Sequence, residues 1–165
     1  MGKRRKQSEP DKPEPIETEL RLAGEPEALQ AIFASSCLAS TPEAEETVSD
    51  FENRYFDTPE LDLRARGLAF RVRANGKGYR QTLKTGDDAK AALQKRGEWE
   101  TALEGQNPDL KALPKPARDH LPKAAFTDDG LRQAFITRVH RRTRKVAIHD
   151  AGLVEAALDL SLIHI

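Results

Sequence analysis

The sequence predicts an α+β fold: an antiparallel β-sheet curled into a tunnel or barrel, with short helices outside it. Three observations predict it. Apolar and polar residues alternate with period two in most of the patterned stretches, while helical spacing is confined to short segments. The polar parity of those strands carries Arg and Lys together with paired Glu. The chain has 165 residues, close to one domain at roughly 150 residues each, and is 38% hydrophobic, enough for one core.

The elements follow in order. Residues 1–15 hold Lys3, Arg4, Arg5, Lys6 and Lys12 among prolines, without apolar period, and read as a disordered tail. Ile16–Ala23 alternates, with Glu17, Glu19 and Arg21 on one parity, and ends at Gly24. Pro26 suits a first helical position, and Leu29, Ile32 and Phe33 recur at helical spacing, so 26–36 reads as a short helix. Cys37 is expected to fill core on its apolar side. Thr47–Asp57 is a strand, and Pro59–Arg66 a short helix or turn closed by Gly67. Leu68–Arg73 and Tyr79–Lys84 alternate on either side of Asn75-Gly76-Lys77-Gly78, a hairpin. Residues 85–95 read as loop and Arg96–Leu103 as strand. Gln106–Asp129 holds Pro108, Pro114, Pro116 and Pro122 and reads as loop with short helices at most. Ala134–Ile148 and Val154–Asp159 are the last strands.

Composition narrows the function. Lys+Arg and Asp+Glu each total 27, so the net charge is zero, which argues against a whole-protein polyanion binder and not against a local basic site. No apolar run approaches the 18 or so residues of a membrane helix, and the basic N-terminus lacks a signal-like apolar region. A lone Cys37 excludes an intrachain disulfide and a cysteine zinc site, and a cytoplasmic location is expected. The four histidines show no ligand spacing, and Gly76-Lys77-Gly78 lacks P-loop spacing.

Each strand alone reads as a sheet with one wet face. Together, five or six such faces could close around a charged interior, and buried charges need partners. Clustered cations suit a polyphosphate. Glu17 and Glu19, at i and i+2, point one way from a strand and suit a hard divalent cation such as Mg²⁺. The residues thus describe a metal-dependent phosphoanhydride site.

The motifs carry a resemblance. Glu17-Thr18-Glu19-Leu20-Arg21, Tyr55-Phe56-Asp57-Thr58-Pro59, and Leu63-Arg64 with Gly67 and Leu68-Ala69-Phe70-Arg71-Val72-Arg73 come first. Gln81-Thr82-Leu83-Lys84, Arg96-Gly97-Glu98-Trp99-Glu100, Phe135-Ile136-Thr137 with Arg141, and Glu155-Ala156-Ala157-Leu158-Asp159 follow. In this order over residues 16–159 they resemble the CYTH domain family, the triphosphate tunnel metalloenzymes, and most of all its bacterial inorganic triphosphatases. Arg21 stands where the family has Lys, which keeps charge and changes geometry.

The resemblance implies hydrolysis of inorganic triphosphate. Arg21, Arg71, Arg73, Lys84 and Arg141 would clamp the triphosphate. Glu17 and Glu19, with Glu98 and Glu100, would hold Mg²⁺ or Mn²⁺. Glu19 and Asp159 would be catalytic. No membrane or specific nucleic-acid partner is implied; a helical CHAD domain often follows in such proteins. Other chemistries within the family are thiamine triphosphate hydrolysis and class IV adenylate cyclisation. From another class, an idle polyphosphate- or nucleotide-binding module would hold its ligand without metal. The family also has a further strand with a second Glu pair after Asp159. Its absence implies an incomplete tunnel domain over 16–160, residues 161–165 as a non-native tail, and poor turnover until that strand is supplied. Trp99, opposite in parity to Glu98 and Glu100, is expected to pack on the outer face. Parity places Arg141 opposite Arg138, Arg142 and Arg144, without saying which face is inside.

Overall fold

The computed structural model describes residues 16–38, 46–74, 76, 78–86, 93–148 and 152–164. The tail expected over 1–15 lies outside them. The chain builds strands β1 (Ile16–Leu20), β2 (Thr47–Asp57), β3 (Leu68–Ala74), β4 (Tyr79–Thr85), β5 (Leu93–Leu103), β6 (Arg132–Ile148) and β7 (Gly152–His164). Helices α1 (Pro26–Ala34), α2 (Asp62–Ala65) and α3 (Lys115–His120) punctuate them.

The strands form one antiparallel seven-stranded sheet in the order β1-β5-β4-β3-β2-β6-β7, curled into a half-barrel. Sequential hairpins build β3-β4-β5 and β6-β7. The other pairings are long-range: β2 joins β6 from Thr47↔Thr143 to Asp57↔Arg132, slipping register between Tyr55 and Phe56. β1 joins β5 from Ile16↔Gly97 to Leu20↔Leu93.

One face of β3-β4-β5 is dry. Leu68, Phe70, Leu83 and Trp99 pack there against Leu63 of α2, Ala117 of α3 and the nearby Leu113, Leu121 and Ala125. This core explains the parity in β3, where Leu68, Phe70 and Val72 are buried and Arg71 and Arg73 face the other way. Trp99 is 5% exposed, as its outer-face reading required. Buried Gln81 ties the proline-rich segment to the sheet: its Nε2 donates to the Asp109 carbonyl (2.6 Å) and its Oε1 accepts from the Asp109 N–H (3.0 Å).

The Asp57-Thr58-Pro59 segment is a clasp. Asp57 Oδ1 accepts from the N–H groups of Thr58 (2.7 Å) and Leu63 (2.8 Å), and Oδ2 from that of Arg64 (3.0 Å). Its carboxylate thereby serves the unpaired donors at the start of α2 and locks Leu63 into the core.

Several boundaries differ from expectation. β1 stops at Leu20 rather than Ala23. α1 ends at Ala34, because Ser35 turns to extended backbone and its N–H and hydroxyl both donate to the Ile32 carbonyl. Cys37 therefore falls in a 3-10 turn and is exposed, not core. β5 begins at Leu93, inside the expected 85–95 loop, because β1 pairs with it there. β7 runs past Asp159: Ser161↔Val139 through His164↔Ile136 continue the ladder with β6, so Ser161–His164 are strand. Among the described residues no helix is long and apolar enough to cross a membrane.

Candidate functional site

Strand pleating puts the residues opposite the dry face onto one concave surface. Across the hairpins, Arg73 pairs with Arg80, Arg71 with Thr82, Thr82 with Glu100, and Lys84 with Glu98. Across β2, Arg73 neighbours Asn53 and Arg71 neighbours Tyr55. Across β6-β7, Arg141 pairs with Asp159. In β1, Glu17 stands opposite Arg96 and Glu19 opposite Gln94. The side chains of Glu17 and Arg96 lie outside the description.

The charges on this surface divide into two kinds. Some are paired. Lys84 Nζ lies 2.8 Å from Glu98, and both are largely buried. Glu100 accepts from the Thr82 hydroxyl (3.1 Å) and lies 3.5 Å from Arg80. Arg141 makes a bidentate pair with Asp159, both bonds 2.6 Å. That hydrogen-bonded carboxylate holds the Arg141 guanidinium above its usual range, against the cost of burial, and Glu155 and Glu19 add to it. The contribution of Glu19, from the other edge of the sheet, reflects the curl. Arg21, just past β1, is exposed and lies 3.4 Å from Glu19.

Arg71 and Arg73 are different. Neither pairs with a carboxylate among the described residues, and Arg71 Nε is buried without a hydrogen-bond partner. Burial, reinforced by the cations Arg71 and Arg141, pushes Arg73 down to about 10, with Glu100 and Tyr55 opposing the shift. It still carries its charge at neutral pH. A concentration of guanidinium charge that repels itself and leaves a buried donor unused has the chemistry to take an anion.

The surroundings of this cluster escaped the sequence reading. Phe51 lies under two of the cations, its ring centroid 4.2 Å from Arg73 Cζ and 5.2 Å from that of Arg141. Asn53, 2% exposed, accepts from Arg73 Nε (3.0 Å) and donates to the Thr137 hydroxyl (3.0 Å). Tyr55 and Phe135 stack with centroids 4.5 Å apart. The only signal was that 51, 53 and 55 share a parity, which names a face and not its neighbours.

The basic run of β6 splits as parity requires, with Arg141 inside. On the convex face Arg138 bonds Glu52 (3.3 Å). Arg142 and Arg144 grip Glu46 and lie over the Phe33 ring. The hydrogen bond from Arg142 holds the Glu46 carboxyl below its usual range, helped by Arg144 against desolvation.

For a divalent metal, Glu19, Glu98, Glu100 and Asp159 supply the right donor type, hard carboxylate oxygen. Among the described residues no three of His, Cys, Asp or Glu converge to hold an ion. An ion here would take one or two of these carboxylates and complete its shell with substrate oxygens and water.

A family model described as the CYTH domain matches residues 15–164. The chain belongs to the CYTH domain family. Its members are typically enzymes, triphosphatases or cyclases, and generally depend on a divalent metal. Among solved structures the chain is similar to a Bacillus halodurans protein named as an adenylate cyclase candidate. The identity is 15% and the TM-score 0.52, over 90% of this chain and 73% of that one. It is also similar to a Hippeastrum adenylyl cyclase candidate whose name reports a dominant triphosphatase activity. There the identity is 14% and the TM-score 0.45, over 87% of this chain and 77% of that one. At such identities the first likeness bears on the fold alone, and the second adds nothing to it.

Proposed function

We propose that this chain hydrolyses the phosphoanhydride bond of inorganic triphosphate in a divalent-metal-dependent reaction. The observation that carries the reading is the Arg71–Arg73–Arg141 cluster, two of whose cations have no carboxylate partner among the described residues and one of which holds a buried unused donor. Arg71 and Arg73 bind and orient the phosphoryl oxygens, with Lys84, Arg141 and Arg21 contributing charge around them. Positioned cations stabilise the charge that spreads over the transferring phosphoryl group, so no side-chain nucleophile is needed. Asp159, oriented by its bidentate pair with Arg141, accepts a hydrogen bond from the attacking water. Glu17 and Glu19, with Glu98 and Glu100, would hold Mg²⁺ or Mn²⁺. When bound, that ion neutralises phosphate oxygens and makes water a better nucleophile.

A second reading, an organic triphosphate, is favoured by Phe51, Tyr55 and Phe135 on the same face. Phosphate release from inorganic triphosphate and from ATP, with Mg²⁺, Mn²⁺ or chelator, tests both. The first reading expects metal-dependent release that is slower on ATP and lost in Glu19→Ala. Faster release from ATP favours the second. Tight triphosphate binding without turnover in any metal would replace both with a binding module.

A further inference from the structure

Arg73 reaches the concave face with its charge intact because the groups that hold it are neutral. Its Nε donates to Asn53 Oδ1 at 3.0 Å. Asn53 is fixed in turn by donating to Thr137 at 3.0 Å, so one hydrogen-bonded row crosses β6, β2 and β3. The Phe51 ring, 8% exposed, supports the guanidinium at 4.2 Å. Among the described residues Arg73 makes no other side-chain hydrogen bond or ion pair, which leaves the terminal amino groups of its guanidinium uncommitted. Arg141, the other cation over Phe51, is committed twice to Asp159. An acidic residue at position 53 would hold Arg73 in the same geometry and cancel its charge. An amide fixes the geometry and leaves the charge.

We propose that Asn53 and Phe51 are positioning residues for the anion site. Asn53 orients Arg73 through a neutral acceptor, and Phe51 supports its face, so that the terminal amino groups meet phosphate oxygens as a full positive charge. This rests on the triphosphate reading of the site.

The test is titration of sodium triphosphate into the protein without divalent metal, with Asn53→Asp, Asn53→Ala, Phe51→Leu and Arg73→Ala, and urea unfolding of each. Asn53→Asp keeps the shape and strengthens the hold on Arg73. A purely structural role therefore predicts near-native affinity for it and a loss only for Asn53→Ala. The neutral-acceptor role predicts the reverse order. Asn53→Asp should bind more than about tenfold more weakly, since an added carboxylate both pairs with Arg73 and repels phosphate. Asn53→Ala removes the orienting hydrogen bond without adding charge and leaves Arg73 able to reach the phosphate, so its loss should be smaller than that of Asn53→Asp. Asn53→Asp should unfold at a urea concentration at least as high as Asn53→Ala. Phe51→Leu should lose about threefold in affinity or more, as its cation–π contacts with Arg73 and Arg141 are removed. Asn53→Asp binding as tightly as wild type, or more tightly than Asn53→Ala, overturns the assignment while leaving the triphosphate reading in place. No binding by wild type, or none lost in Arg73→Ala, overturns the assignment through its premise.

Discussion

Replacing Asp57 with alanine removes three hydrogen bonds at once: to the backbone N–H groups of Thr58, Leu63 and Arg64. Thr58 and Leu63 are 2% and 1% exposed, so their donors have no water to turn to. Arg64 is exposed and recovers most of its loss from solvent. A buried donor left without its acceptor costs about 1–3 kcal/mol, and the acceptor here is charged. Two such donors and a weaker third total about 3–5 kcal/mol. Asp57→Asn keeps one oxygen for Thr58 and Leu63 and turns an NH₂ towards the Arg64 N–H, so about 1–2 kcal/mol is expected. Urea unfolding followed by fluorescence reports directly, because the single tryptophan, Trp99, packs in the core that Leu63 completes. With a slope of about 2 kcal/mol per molar urea, Asp57→Ala should lower the midpoint by about 1.5–2.5 M. A shift under about 0.5 M, or an equal shift for Asp57→Asn, would refute the clasp.

Three further outcomes are expected. Glu46 has a folded pKa depressed below 4.5, first by its Arg142 hydrogen bond. Its stabilisation is present above 4.5 and lost as pH falls through the folded value, so the gap in urea midpoint between wild type and Glu46→Gln should close in acid; a gap constant with pH contradicts this. At Gly130 a Cβ would fall on the backbone of Ala124 and Ala125, so Gly130→Ala should cost about 1–3 kcal/mol in thermal or urea unfolding, whereas Gly105→Ala, with nothing within 4 Å, should be near neutral. Asp159→Asn frees Arg141 from its pair; metal-free triphosphate affinity should rise up to about fivefold while turnover falls, and a loss of affinity would argue against Arg141 as part of the anion site.

The parity of β3 was legible because side chains alternate on any strand, whatever it pairs with. Leu68, Phe70 and Val72 declared a buried face, and Arg71 and Arg73 followed onto the other without knowledge of the fold. The same local rule brought Lys84, Glu98 and Glu100 to that face and put Trp99 behind it. It failed wherever a neighbour from a distant segment decided. Cys37 was misread because the helix stops at a serine that caps its own last turn. The Asp57-Thr58-Pro59 segment, recognisable as a motif, disclosed its role only when its carboxylate met the backbone of α2. Asn53 looked like an ordinary strand residue until Thr137, 84 positions away, and Arg73 closed on it.

By itself the sequence determined the pleated alternation, the placing of Arg71, Arg73, Arg80, Lys84, Glu98 and Glu100 on the charged parity of their strands, and the family, all of which are local in the chain. The tertiary structure alone decided that β2 lies between β3 and β6, that β1 joins β5, and that Arg141 faces inward while Arg138, Arg142 and Arg144 face out. Those choices depend on register between strands far apart in sequence, where the free energy lies in cross-strand pairs and shared burial. The same register gives Arg141 a carboxylate and Arg73 an amide, and so decides which of the two cations has a counter-charge across the sheet.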